Sequence, residues 1–328
     1  MIYKKIIRPI LFKTTDPEWI HHVALATLGR TPAASLIAMG SKPPSRPVKL
    51  WGLTFRNPFG LAAGFDKDGE AMYAWAKLGF GFAEVGTITY LPQKGNPKPR
   101  LFRCPKEMAA INRMGFPGNG VEVAKRTLEK YYKKPVPDFP IGINIGKSKD
   151  TPMEEAPEDY LKLLRELYDL GDFFVVNVSC PNISNFPDLQ HPKRLSPILQ
   201  ALQKFNSEKS SKPILVKISP DLHFDDIAAI LETSHENNIA GIVAVNTSLD
   251  HSAVTLDEKG GLSGRPLTKK SNDIIRFIKK HTDMPVIGAG GVFNRDDFQE
   301  KLDAGASLVQ VYTGFVYEGP RIAFKVLS

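Results

Sequence analysis

The sequence predicts an α/β protein: a closed (β/α)8 barrel over residues 47–328, preceded by an N-terminal helical hairpin within residues 1–46. Three observations lead there. After Pro47 a β-rich run, a polar or glycine-containing loop and a helical stretch follow one another eight times, and eight such pairs close a parallel sheet on itself. No G-x-G-x-x-G follows the first strand, which counts against a dinucleotide-binding open sheet, the fallback architecture. Polar and glycine residues gather where the strands stop, as they do at the mouth of a barrel enzyme.

Composition agrees and excludes other classes. The 328 residues are 42% hydrophobic and 24% charged, a globular composition with a large core. The net charge of +8 contains no run of five or six like charges, so no nucleic-acid partner is expected. Cys104 and Cys180 are the only cysteines, which allows no disulfide framework and suits a reducing, cytosol-facing compartment. Arg8 and Pro9 interrupt the apolar start and no small-residue cleavage pattern follows, so no signal peptide is expected. No apolar stretch approaches the roughly 20 residues that span a bilayer.

Taken in order, Asp16 caps a first helix that has Pro17 at its first position and Gly29 as its stop. Thr31 to Met39 offers a second helix before Pro43, Pro44 and Pro47. Trp19, Ile20, Val23, Ala24, Leu25 and Leu28 give the pair an apolar face. Lys4, Lys5, Arg8 and Lys13 lie beside it, a combination expected of an element resting on an anionic membrane; the alternative is a cap packed on the barrel. The barrel strands are expected at 59–64, 82–89, 141–146, 173–179, 214–219, 241–247, 286–291 and 308–313. Helices are expected near 69–79, 119–133, 157–170, 195–208, 224–237, 268–281, 295–304 and 319–327.

The strand ends carry the candidate chemistry. The fourth reads N-V-S-C-P-N, where Asn177, Ser179, Cys180 and Asn182 could move a proton and hold a planar substrate. A strand end with a buried thiol is the plainer reading. Gly288 to Gly291 and Tyr312 to Gly314 offer backbone N–H groups where barrels hold phosphate, and the loop Gly260 to Pro266 adds glycine backbone beside them. Lys67 and Lys217 would place positive charge along a cofactor ring that becomes anionic on reduction, which suits flavin mononucleotide (FMN); rim salt bridges are the alternative. Asn112, Asn177, Asn182, Asn246 and Thr247 could hydrogen-bond an imide-like ring. No H-E-x-x-H or paired C-x-x-C is present, and no metal site is expected.

The motifs A-A-G-F-D-K-D-G-E, G-N-P-K-P-R-L-F-R, I-N-R-M-G-F, G-I-N-I-G-K, N-V-S-C-P-N, G-G-L-S-G-R-P-L and G-A-S-L-V-Q-V-Y-T-G-F together span nearly the whole chain. They resemble those of the dihydroorotate dehydrogenases, of the membrane-associated, quinone-using class 2. The resemblance implies oxidation of dihydroorotate to orotate in pyrimidine biosynthesis, with hydride passing to FMN and electrons then to a membrane quinone. It implies FMN contacts at Ala63, Gly64, Phe65, Asp66, Lys67, Thr87, Asn144, Asn177, Lys217, Gly264, Gly291, Tyr312 and Thr313, and at Val245, where the family has a threonine. The substrate pocket would use Lys67, Asn112, Arg113, Met114, Gly115, Phe116, Asn177, Asn182, Asn246 and Thr247, with Cys180 as base. His21, Arg103 and Tyr312 would line a quinone tunnel under the N-terminal helices. A monomer, peripheral on the cytoplasmic face of a bacterial inner membrane, is expected.

One departure stands out. Class 2 members carry Ser at the base position, whereas Cys180 and the following I-S-N-F-P differ from that pattern and Cys is the habit of the soluble class 1 enzymes. A thiol of ordinary pKa, about 8.5, is expected to give activity that rises as pH nears that value. The competing readings are a soluble dihydroorotate dehydrogenase using fumarate or NAD and, from another class, a noncatalytic flavin-binding barrel or membrane scaffold.

Overall fold

The computed structural model describes residues 2–41, 45–133, 138–183 and 186–328. Pro43 and Pro44, expected to end the hairpin, lie outside the described residues, as do Ser184 and Asn185 of the segment after Asn182. In chain order the elements are α1 (Arg8–Thr14), α2 (Pro17–Arg30), α3 (Ala33–Ala38), β1 (Val48–Leu50), β2 (Leu53–Phe55), β3 (Phe59–Leu61), α4 (Met72–Lys77) and β4 (Phe82–Ile88). Then come β5 (Leu101–Cys104), β6 (Ala109–Asn112), α5 (Val121–Tyr132), β7 (Ile141–Ile145), α6 (Ala156–Leu167), β8 (Phe173–Asn177), α7 (Pro192–Ser207), β9 (Ile214–Ile218) and α8 (Phe224–Glu236). The rest are β10 (Gly241–Ala244), β11 (Gly261–Gly264), α9 (Thr268–His281), β12 (Val286–Ala289), α10 (Arg295–Asp303), β13 (Leu308–Val311), α11 (Thr313–Glu318) and α12 (Ile322–Leu327).

Eight parallel strands close in the order β3-β4-β7-β8-β9-β10-β12-β13, with Val309 opposite Phe59 completing the ring. The expected (β/α)8 barrel is the observed one. Because successive side chains on a strand alternate faces, residues two apart share the barrel interior, and four strands grade from apolar to polar along it. Phe82 precedes Glu84, Phe173 and Val175 precede Asn177, Leu215 precedes Lys217 and Leu308 precedes Gln310. The lower group packs as one buried cluster under the β1–β2 hairpin, with Phe55 fully buried. Glycine makes the room: a Cβ on Gly60 would sit 2.4 Å from the Phe82 ring, and one on Gly142 would sit 2.3 Å from Phe173.

Asp16 caps α2 as expected, its Oδ1 accepting from Trp19 N at 2.8 Å. The N-terminal region holds more helix than a hairpin, since Tyr3–Ile7 forms a wide helical turn that runs into α1. These segments are tied to the barrel. Tyr3 donates to Val316 O, Arg8 to Tyr317 O and Lys4 to Glu318, while Arg103 Nη1 reaches Thr15 O at 2.8 Å. Lys4 and Arg8, expected to face a membrane, are therefore committed inward; Lys5 and Lys13 stay exposed. The helix expected at 319–327 is α12, which starts three residues later; α11, which precedes that range, is not among the expected helices, and Gly319, at φ 85°, separates the two.

A second sheet is not foretold by the eight-fold alternation. β5, β6 and β11 pair antiparallel across the barrel mouth, with Gly261 opposite Asn112 and Gly264 opposite Ala109. The glycines of 260–264 thus serve close backbone packing as well as any ligand. A Cβ on Gly260 would lie 2.3 Å from Asn112 O, and one on Gly261 2.0 Å from Thr247 Oγ1.

Candidate active site

The carboxyl ends of the strands open into one pocket, lined from β3 by Ala63, Gly64 and Lys67, from β4 by Thr87, and from β8 by Asn177, Cys180 and Asn182. Lys217 of β9, Val245, Asn246 and Thr247 after β10, Gly291 after β12, and Tyr312 and Thr313 after β13 complete the barrel side. The mouth sheet adds Asn112 and Gly264, and the turn after β6 adds Met114, Gly115 and Phe116. Residues separated by more than 200 positions meet here because every parallel strand ends at the same rim.

Four predicted residues lie elsewhere. Phe65 turns into an aromatic cluster, 4.7 Å from His21 and 4.9 Å from Phe315 between ring centroids. Asp66 is a brace: its carboxylate accepts from Glu70 N, Ala71 N and Trp75 Nε1 at 2.8–2.9 Å, fixing the turn that presents Lys67. Burial outweighs those bonds and lifts its pKa to about 6. Arg113 leaves the pocket to pair with Glu258 at 2.6 Å and to lie over Phe102. Asn144 sits one layer below, donating to Glu84 Oε1 at 2.6 Å.

The amides form a directed network. Asn177 Nδ2 donates to Thr87 Oγ1 at 2.9 Å and to Asn144 Oδ1 at 3.3 Å, while its Oδ1 accepts from Ser179 N and Oγ. Asn246 Nδ2 donates to Ser179 O and Oγ at 3.0 Å, and its Oδ1 accepts from Thr247 N. Asn182 Nδ2 donates to Asn112 Oδ1 at 3.1 Å, linking the β8 loop to the mouth sheet. Such prior bonding fixes each amide before any ligand arrives, which lowers the ordering cost of binding.

Electrostatics corrects one expectation. Cys180 is only 5% exposed, and burial pushes its thiol up to about 12, against a small opposing contribution from a backbone hydrogen bond at Asn182. The ordinary thiol value does not apply, because the low-dielectric surroundings disfavour the thiolate. Lys67 moves the other way: burial, then Arg100, bring it down to about 8.

Two further cavities adjoin the pocket. A polar one between α2 and the barrel is lined by Glu18, His21, His22, Lys67, Asp68 and Arg100, among others. Glu18 anchors it, accepting from Arg100 Nη2 at 2.6 Å and Nε at 3.1 Å; burial opposes ionisation, but Arg100 and Lys98 win and hold the carboxylate at about 2. The third cavity is mostly apolar, formed by Ile20, Val23, Ala24, Leu28 and Ile37 against Phe315 and Val316. His21, Arg103 and Tyr312 line it, and Tyr312 lines all three cavities. Burial, followed by Lys67 and His22, holds His21 down at about 4, so it is neutral near pH 7.

A family model described as dihydroorotate dehydrogenase matches residues 46–328. The chain belongs to the dihydroorotate dehydrogenase family. A Gloeobacter violaceus protein named dihydroorotate dehydrogenase (quinone) is 48% identical over 335 residues, 99% of this chain and 92% of that one. One of the same name from Trichodesmium erythraeum is 45% identical over 356 residues, covering 100% and 93%. A crystal structure of the Eimeria tenella DHODH with ferulenol superposes with TM-score 0.86 at 34% identity, covering 98% of this chain and 93% of that one.

Within this dihydroorotate dehydrogenase fold, the site includes two buried polar residues that lie inside strands and not at their ends. Glu84 is fully buried, and Gln310, 1% exposed, lines the pocket. The signal was there: one acidic residue inside the apolar run F-A-E-V-G, where an unpaired charge would be costly. Lys147, at the end of the motif G-I-N-I-G-K, donates to the carbonyls of Ser148 and Thr151.

Proposed function

We propose that the protein is a quinone-dependent dihydroorotate dehydrogenase, oxidising dihydroorotate to orotate in pyrimidine biosynthesis with FMN as cofactor and a membrane quinone as acceptor. The observation that carries this reading is Tyr312, the shared wall between a pocket holding Cys180 and Lys67 and an apolar cavity under the N-terminal helices.

The residues fit FMN. Lys67 and Lys217 put two cations on the pocket wall, and Gln310 Oε1 is a buried acceptor with no hydrogen-bond partner among the described residues. Gly290 and Gly291, at φ 109° and 78°, bring backbone to the wall in a conformation that other residues resist. FMN would be held by these groups with Ala63, Gly64, Thr87, Asn177, Val245, Gly264, Tyr312 and Thr313, Asn144 supporting Asn177 from below. When bound it supplies the acceptor for the substrate's hydride and the donor for the quinone.

Cys180 removes the carbon-bound proton of the substrate. Asn112, Asn177, Asn182, Asn246 and Thr247 hold the ring's amide edges, and Lys67 meets its carboxylate. Met114, Gly115 and Phe116 close the pocket over it and exclude water. His21, Arg103 and Tyr312 are the polar groups that would orient a quinone in the apolar cavity.

Residues 1–46 act as the membrane-facing quinone module and 47–328 as the catalytic barrel. No described helix is long and apolar enough to cross a membrane. Ile6, Ile10, Trp19, Leu36 and Met39 are exposed on the N-terminal helices, 54–73% each, which supports peripheral contact with a membrane surface; in this reading the protein is a monomer on the cytoplasmic face of a bacterial inner membrane. The test is direct: reduce the purified yellow protein anaerobically with dihydroorotate, then add a quinone analogue, fumarate or NAD. Re-oxidation by quinone alone is expected. Re-oxidation by fumarate or NAD would replace this reading with the soluble one, and a protein that binds no FMN would leave a scaffold.

A further inference from the structure

The polar floor of the pocket is organised by one group, the carboxylate of Glu84. It stands on β4 at the barrel axis, fully buried, and receives three neighbours from three other strands. Asn144 Nδ2 of β7 donates to Oε1 at 2.6 Å, Gln310 Nε2 of β13 donates to Oε2 at 2.5 Å, and Lys217 Nζ of β9 lies 3.8 Å from Oε1. A carboxylate only accepts, so both amides must turn their NH2 groups towards it and their carbonyl oxygens away. The consequence differs for the two. Asn144 Oδ1 takes the bond from Asn177 Nδ2, so the direction set at Glu84 passes into the amide network. Gln310 Oε1 is left without a donor among the described residues, buried in the lining of the pocket.

We propose that Glu84 is a positioning residue for the flavin. It orients Gln310 so that a bare carbonyl oxygen meets an N–H of the bound ring, and it balances the charge of Lys217 beneath that ring. Its charge therefore sets the reduction potential of the cofactor. This rests on the FMN reading above. An apolar residue at position 84 would leave the Lys217 cation buried beside two undirected amides, a costly arrangement with no packing reason behind it.

The test uses the holoenzyme and two variants, Glu84→Gln and Glu84→Asp, with two readouts: the midpoint potential of bound flavin by dye-referenced redox titration, and FMN affinity by fluorescence recovery on dilution. In Glu84→Gln the Lys217 cation loses its balancing charge, so reduced flavin is favoured. At fixed poise its ratio to oxidised flavin should rise at least tenfold, about 30 mV for a two-electron couple. Glu84→Asp keeps the charge but withdraws it by one methylene. It should shift that ratio less than threefold while weakening FMN binding at least tenfold, as Gln310 loses its orienting partner. A Glu84→Gln protein with lowered Tm and a ratio within threefold of wild type would overturn the proposal and leave Glu84 a barrel brace. Should Glu84→Gln fail to fold, Gln310→Leu removes the oriented carbonyl while leaving Glu84 and Lys217 together. FMN binding at least tenfold weaker is then expected, and an unchanged FMN affinity overturns the proposal. Failure of the wild-type protein to bind FMN would instead remove the functional reading on which this one stands.

Discussion

At the scale of single residues, Cys180 and Lys67 set opposite pH trends in one pocket. Burial raises the thiol to about 12, so across the neutral range its thiolate fraction grows about tenfold per pH unit. Burial lowers Lys67 to about 8, so its positive charge is lost as pH rises through that value. kcat is therefore expected to climb steadily from pH 6.5 to 9.5 without a plateau near 8.5, while KM for dihydroorotate rises above pH 8; steady-state kinetics across that range checks both. Cys180→Ala should lower kcat by a factor on the order of 10² to 10⁴, the usual contribution of a positioned base, with FMN still bound by absorbance. Undiminished turnover in that variant would take the base role away from Cys180.

Among the elements, the sheet β5-β6-β11 completes the proposed substrate side, because it places Asn112 and Gly264 in the lining of a pocket built by the barrel. Its fit depends on glycine at 261, where a Cβ would stand 2.0 Å from Thr247 Oγ1. Gly261→Ala must displace either β11 or Thr247. Overpacking of this kind costs about 1–3 kcal/mol. The expected outcome is a KM for dihydroorotate raised at least about tenfold with FMN affinity retained, measured by kinetics and by flavin titration. An unchanged KM would show that Thr247 yields freely and takes no part in holding the ring.

For the molecule as a whole, the buried pair of Glu18 and Arg100 fastens α2 to the barrel and thereby roofs the apolar cavity. Glu18→Ala leaves Arg100, 6% exposed, without its carboxylate, and breaking such a pair costs about 3–5 kcal/mol. We expect a lowered Tm and loss of quinone reduction, with reduction of the flavin by dihydroorotate kept, since the catalytic pocket takes no side chain from α2. Stopped-flow measurement of the two half-reactions separates these outcomes. The exposed apolar residues of α1 and α3 give a second whole-molecule expectation: replacing Ile10 and Leu36 together with Asp should abolish co-sedimentation with anionic vesicles while leaving flavin content unchanged.

By itself the sequence determined what is local or repeated. Eight alternations of strand and helix specify a barrel because a parallel strand must return through a crossover, and Asp16-Pro17 specifies a helix start because cap and fixed φ act within a few residues. It also placed the amides and lysines at the strand ends, hence at one rim. Tertiary structure decided what depends on residues far apart meeting in space. Only pairing across 149 to 155 positions makes Gly261–Gly264 a strand against Ala109–Asn112, and only closure brings Asn144, Lys217 and Gln310 to Glu84. Burial, too, is a property of the packed molecule. Water withheld from Cys180 and Lys67 moves both pKa values, and no neighbour in the chain foretells that desolvation.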